Sequence, residues 1–361
     1  MHPYYKRKSM KPGLFGQKHS SRDYSKAVNW GKNMFNSSFP ASLVAYMHSR
    51  SIKPVYICTN KANDVIHEYI DCEQLFGIDP LSDNAFYNYE AGYSPYEKFY
   101  SGDREKIDLV MMNNASNQVC RGLEVKLTAV PDNTTYSKSE SEWGAEIVMR
   151  PPTICFLACS ICSNYETPQK KERLRNMLKE VPQINHWEEI EEVAFHYSEI
   201  LSSILKVSSD MCAAQEPLVL QPIWKTEGNK MRLREDCLDV FVWSNLAVIQ
   251  MSSKGERPQA GKINRYQRTI VWLYKMLLDY VTYDIFDYKR IIRLQSYSLA
   301  NDKAFAMPGN KSHDFLKSPE LMKPRISKYE IRNIILGGGQ NLLSPERRFD
   351  AVLVNSPDLF E

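Results

Sequence analysis

The sequence predicts an α/β (α+β) fold: one mixed central sheet flanked by helices. Three observations carry that expectation. Short apolar, β-prone runs recur at PVYICT (54–59), IDLVMM (107–112), VCRGLEVKLTAV (119–130) and LVLQPIW (218–224). Segments with helical spacing lie between and after them. No sharp linker divides the 361 residues, so the chain reads as a basic arm (1–32), a main core (33–300) and a C-terminal extension packed on that core (301–361).

In chain order, a short helix is expected from about Ala41, then the strand 54–59. A helix capped by Asn63 or Asp64 follows through NDVIHEYIDCEQLF, and residues 78–96, rich in Asp, Asn, Tyr, Gly and Pro, read as a loop. The two apolar strands 107–112 and 119–130 flank the turn NNASNQ. TICFLACSIC (153–162) is a continuous apolar run that suits a buried central strand. Helices are expected at 169–181 and 187–205, and strands at 218–224 and 238–251, the latter partly mixed. An amphipathic helix follows at 263–281, and RFDAVLV (348–354) reads as a late strand.

Composition excludes several classes. Hydrophobic residues at 43% and charged residues at 25% describe a globular chain. No run approaches the roughly 18 apolar residues of a membrane helix, and the basic N-terminus has no apolar stretch behind it. Cytoplasm is therefore the expected compartment, with the eight cysteines reduced. A net charge of +3 announces no nucleic acid, but the first 32 residues carry eight Lys and Arg against Asp23 alone. Such an arm either contacts phosphate or is a solvated tail.

The chemistry concentrates in KIDLVMMNNASNQVCRGLEVKLTAV (106–130). A hairpin folded about 115–116 sets Asp108 opposite Leu123 and Glu124, while Glu124 and Lys126, two apart, share a strand face. Side-by-side carboxylates raise each other's pKa unless a cation lies between them. Oxygen-only donors, with the Val125 carbonyl as a further ligand, favour Mg²⁺ (or Mn²⁺) over zinc. Lys126 then orients or helps deprotonate the attacking water and stabilises charge on a phosphate. A bare E-x-K is common on half-exposed strands; its place in an apolar strand, with an acid at matching depth next door, sharpens it.

Asp108, fifteen residues and Glu124-Val125-Lys126 resemble the PD-(D/E)xK nuclease core, with Ile107 in place of the proline. WGKNMFNSSFPASL (30–43), YSPYEKFYSGDREKIDLV (93–110) and GAEIVMRPPTICFLA (144–158) resemble the HindVP-type restriction endonucleases. The resemblance implies a restriction-endonuclease-like core and a type II enzyme that hydrolyses double-stranded DNA at the degenerate site GRCGYC. It also implies metal-binding acids at Asp108 and Glu124 and a catalytic lysine at Lys126. In that core an upstream helix often adds an acid: Glu97 is the candidate, with Glu90 behind it, and Glu146 an outside choice. A two-fold symmetric site is served by a homodimer, and a cognate DNA methyltransferase is a possible partner in the same system.

For DNA contact, KTEGNKMRLRED (225–236) offers Lys230, Arg232 and Arg234, and KGERPQAGKINRYQR (254–268) offers Arg257, Lys262, Asn264, Arg265 and Arg268. Arg to guanine and Asn to adenine are the major-groove pairings; any single one of these side chains reads equally as solvated charge. Cys155, Cys159 and Cys162 have the spacing of a cluster-binding triad but lie in an apolar run, so core packing is expected of them. Gly337-Gly338-Gly339 lacks the Lys-Ser/Thr of a phosphate loop. The alternatives to a restriction enzyme are an inactive DNA-binding protein of nuclease fold and a repair or transposition nuclease without a fixed sequence.

Overall fold

The computed structural model describes residues 30–126, 128–130, 147–226, 233–253, 263–297, 305–307 and 324–335. Helix α1 (Trp30–Ser49) leads into the hairpin β1 (Val55–Thr59) and β2 (Val65–Tyr69). Residues 65–69 are thus a strand and not the start of a helix. Asn60 explains the turn, its side-chain oxygen accepting from Ala62 N and Asp64 N. VIHEY then pairs antiparallel along β1, from Thr59↔Val65 to Val55↔Tyr69. Only Cys72–Phe76 is helical (α2), and it stops at Gly77, whose φ of 72° a side chain would strain.

The expected loop 78–96 contains β3 (Ala85–Gly92), paired with β4 (Lys106–Asn113). Its polar residues belong to an edge strand, one side of whose backbone meets no strand among the described residues. β5 (Gln118–Val125) closes the predicted hairpin, and the expected long strand breaks before β6 (Thr128–Val130). After β7 (Ile147–Met149), the run 151–164 is helix α3 (Pro151–Asn164), not a central strand. Pro151 and Pro152 occupy its first turn, where proline lacks no needed donor. Residues 153–162 are all buried, so no apolar stripe marks the helical period.

Next come α4 (Pro168–Leu178), α5 (Ile190–Phe195) and α6 (Tyr197–Asp210), the last two being one expected helix broken at His196. The antiparallel pair β8 (Pro217–Thr226) and β9 (Leu233–Ser244) is followed by α7 (Asn245–Ser253), α8 (Arg265–Tyr283) and α9 (Tyr288–Leu294). β10 (Phe305–Met307) pairs with β7, and β11 (Ile326–Ser327) joins β9 ahead of α10 (Lys328–Ile335). The expected strand 348–354, residues 337–339 and residues 1–29 of the expected arm 1–32 lie outside the described residues, while residues 30–32 of that arm open α1.

The sheet is mixed, in the order β2-β1-β9-β8-β5-β4-β3, with β11 on β9 and β6 on β8. The pairs β1–β9, β8–β5 and β6–β8 are parallel and the others antiparallel. One face packs under α3, α4, α6, α7, α8 and α9 around Trp243, Trp272 and Phe241. The opposite face packs under α1, α2 and α10 around Trp224, Leu220 and Leu123. Full burial of Leu109 and Leu123, each worth about 2 kcal/mol, fixes the β4–β5 register. A one-residue slip would exchange the two faces and move Glu124 and Lys126 across the sheet.

Candidate active site

Asp108 lies in the first half of β4, Glu124 near the end of β5 and Lys126 just past it, where the hairpin register Leu109↔Leu123 brings these ends together. Asp108 Oδ2 accepts a hydrogen bond from Val125 N at 2.7 Å. Lys126 Nζ stands 2.5 Å from Glu124 Oε2 and 3.9 Å from Asp108 Oδ2. All three predicted residues therefore meet. The lysine and Glu124 are buried, while Asp108 keeps 30% of its side chain exposed and opens the group to solvent.

Electrostatics sets Glu124 apart. Burial pushes its carboxyl up to about 8, Asp108's charge adds to that, and Lys126 opposes it. One ammonium thus incompletely offsets two carboxylates in a desolvated place. The donor set fits a hard divalent ion: two carboxylates converge, the Val125 carbonyl is adjacent in sequence, and added positive charge would relieve the burden on Glu124.

The fourth acid is where structure and sequence diverge. Glu97 ion-pairs with Arg104 at 3.5 Å, and its Oε1 lies 2.9 Å from where a Cβ on Gly92 would stand. No described contact joins it to Asp108, Glu124 or Lys126. Glu90 sits instead on β3 between Tyr89↔Leu109 and Ala91↔Ile107, the level of Asp108. Its φ is 50°, uncommon for a non-glycine residue. Partial enclosure raises its carboxyl, the charge of Asp108 raises it further, and Lys106, Arg150 and Lys126 lower it. Glu146 lies outside the described residues.

Among the predicted DNA contacts, Arg234 is half-buried on β9 beside the β8–β9 hairpin tip. Asn264 caps α8, its Oδ1 accepting from Gln267 N at 3.0 Å while Gln267 Oε1 accepts from Asn264 N at 2.8 Å. Arg268 needs correction: it is 2% exposed, its guanidinium lies 4.7 Å from the centre of the Trp272 ring, and Nη1 donates to Ser296 O at 3.2 Å. It is a core side chain that a duplex does not meet. Arg265 opens α8, and its side chain is outside the described set, as are Lys230, Arg232, Arg257 and Lys262. Cys155, Cys159 and Cys162 are free thiols buried on α3, as their core reading expects.

The chain matches the HindVP restriction endonuclease family over residues 30–360. The chain belongs to that family. It is 42% identical over 352 residues to the type II restriction enzyme HgiDI of Herpetosiphon aurantiacus, covering 97% of each chain. It is 40% identical over 356 residues to the probable type II restriction enzyme HindVP of Haemophilus influenzae, covering 98% of this chain and 96% of that one. No solved structure matches it. Membership of the HindVP family makes this chain a type II restriction enzyme, a sequence-specific DNA endonuclease. Among the described residues no helix is long and apolar enough to cross a membrane.

Proposed function

We propose that Asp108, Glu124 and Lys126 form the cutting centre, with Mg²⁺ as the resident ion, Mn²⁺ able to replace it, and the Val125 carbonyl as a further ligand. The observation that carries the reading is Lys126 Nζ set between Glu124 and Asp108 at 2.5 and 3.9 Å. When bound, the ion supplies Lewis-acid charge at the scissile phosphate and lowers the pKa of a water. The chain's own residues do the rest. Val125 N–H fixes Asp108 Oδ2, which holds the carboxylate's orientation. Lys126 holds Glu124 Oε2 and keeps an ammonium beside the place where phosphate charge develops. It also stands where it can orient the attacking water. Glu90, at the level of Asp108, is a better further acid than Glu97.

The β8–β9 hairpin is the proposed recognition arm. Leu220 pairs with Val125, and β8 continues six residues to Thr226, roughly 20 Å at a strand's rise. The arm passes the cutting centre and carries Arg234 near its tip, with Lys230 and Arg232 in the connection. Arg257, Lys262 and Arg265 form the second proposed contact segment, with Asn264 contributing only through whatever its capping role leaves. A C2 homodimer would cut both strands of the symmetric site GRCGYC, and a DNA methyltransferase acting on that site would protect host DNA. Plasmid of known sequence tests this: discrete fragments with Mg²⁺, none with EDTA, and ends at GRCGYC are expected. A smear contradicts the fixed-site reading, and no cutting with any divalent ion contradicts the centre.

A further inference from the structure

Beside the cutting centre stand two cations that the mechanism above does not use. Lys106 opens β4 two residues before Asp108, about 7 Å along the strand. Arg150 stands immediately before α3. Both are exposed, and among the described residues neither side chain has an ion pair or a hydrogen bond. The acids around Lys106 are engaged elsewhere. Glu105 meets Lys289 at 3.2 Å and accepts from the Tyr288 hydroxyl. Across the ladder Lys106 pairs with Gly92, and the Glu97 carboxylate beside that glycine goes to Arg104 at 3.5 Å.

Arg150 reaches the same place from the other side. Its carbonyl accepts from Ile154 N at 3.2 Å at the start of α3. The helix is fixed to the chain leaving β3 by the Tyr96–Phe156 ring pair, 6.4 Å between centres, and by the Cys159 thiol, which donates to Tyr96 O at 3.9 Å. Glu90 on β3 feels both cations: Lys106 and Arg150 lower its carboxyl, against Asp108, which raises it. Pro151 and Pro152 leave the first two positions of α3 without N–H groups. What this end of the helix offers an anion is therefore the guanidinium.

Charge balance decides what the two cations meet. Lys126 is committed to Glu124, and a bound divalent ion would neutralise the acids. Lys106 and Arg150 then remain as positive charge facing solvent at the edge of a site that receives a polyanion. The scissile phosphate lies on the ion and Lys126, so cations rooted beyond Asp108 reach the next phosphate along the strand. Such contacts fix register and carry no base sequence.

We propose that Lys106 and Arg150 together bind the backbone phosphate adjacent to the scissile one, as a positioning pair that sets which phosphodiester bond lies over Asp108. The proposal rests on reading Asp108, Glu124 and Lys126 as the cutting centre.

The test uses Lys106→Met, Arg150→Met, their double variant and Lys126→Ala in the full chain. Binding of a duplex carrying the mapped site is titrated in Ca²⁺ at several salt concentrations, beside cleavage in Mg²⁺ and thermal melting. The double variant is expected to bind about 10- to 100-fold more weakly at low salt. Its slope of log affinity against log salt should fall by about 1, the share of one phosphate. KM should rise more than kcat falls, and the melting temperature should stay at the wild-type value. Duplexes with one uncharged methylphosphonate on either side of the cut locate the contact. Wild type should lose affinity at one of these positions, and the double variant should lose nothing more there. If one variant does not fold, the other single variant decides through the same duplexes. Wild-type affinity and salt slope in the double variant, a loss confined to kcat, or methylphosphonate losses equal to those of wild type overturn the proposal. Lys126→Ala separates the failures: if it cuts like wild type, the cutting centre is misassigned and the proposal falls with it. If it is inactive while the double variant keeps the wild-type slope, only the role of Lys106 and Arg150 falls.

Discussion

Two buried carboxylates on the same sheet have opposite fates. Asp239 on β9 is 2% exposed and Glu124 on β5 is 5% exposed. Asp239 receives Arg325 in a two-pronged pair, Nη2 at 2.7 Å and Nε at 2.9 Å, and its Oδ1 also accepts from Val240 N at 2.8 Å. Arg325 in turn donates to Lys53 O and lies over the Tyr69 ring. That arrangement ties the segment before α10 to the sheet. Glu124 shares the Lys126 ammonium with a second acid, and its carboxyl is driven upward by burial and by Asp108. Burial of charge makes a structural clamp where the partners suffice; where they do not, as at Glu124, it is consistent with the proposed cutting centre.

The contrast predicts opposite signs in stability. Asp239→Asn should lower stability by about 1–3 kcal/mol, the range for a hydrogen bond to a charged group, with water replacing part of it because the Arg325 side chain is 32% exposed. Its cleavage should persist. Glu124→Gln should abolish cleavage and leave the metal-free protein as stable as wild type or more so. Melting curves with EDTA beside plasmid cleavage check both, and a large loss of stability in Glu124→Gln would break the contrast.

Arg268 sharpens the same lesson among cations. It is buried like Lys126, but it is matched by the Trp272 ring and the Ser296 carbonyl. Arg268→Leu should cost about 2 kcal/mol through lost stacking and hydrogen bonding. The salt dependence of DNA binding should be unchanged, as measured by titrating a labelled duplex at several ionic strengths in Ca²⁺. A shallower salt slope would return Arg268 to the DNA interface.

A smaller effect follows from the raised carboxyl of Glu124. From its ordinary 4.5 up to about 8, the unfolded chain has lost this proton while the folded chain holds it. The folded state then binds more protons, so without divalent ion this group's contribution to stability falls as pH rises through that window. Denaturant melts in EDTA across the window should show a slope that Glu124→Gln removes. An equal slope in that variant would place the effect elsewhere. Finally, Glu90→Gln should reduce cleavage more than Glu97→Gln does, because Glu90 sits at the level of Asp108 and feels its charge, while Glu97 pairs with Arg104. Equal rates for the two variants would remove Glu90 from the centre.

How much of this could be read in advance depended on whether a residue's role is encoded locally. Asp108, Glu124 and Lys126 were legible because a turn between two apolar strands dictates their register. Burial of α3 on every side erased the period that separates helix from strand, so its ten-residue apolar run read as the wrong element. β3 was hidden because edge strands tolerate the polar residues of loops. Glu90 depends on a positive φ that no composition announces. Arg268 sat in a basic segment, where charge counts carry no information about the Trp272 ring one turn along.

The most direct test of the central claim is Mg²⁺-dependent plasmid cleavage by wild type and Lys126→Ala side by side, with duplex binding in Ca²⁺ as the control for folding. Wild type should yield discrete fragments. Lys126→Ala should bind the duplex comparably and cut about 10²- to 10⁴-fold more slowly, the range for a group that assists proton transfer. Cleavage by Lys126→Ala at the wild-type rate would contradict the assignment of Asp108, Glu124 and Lys126 as the cutting centre.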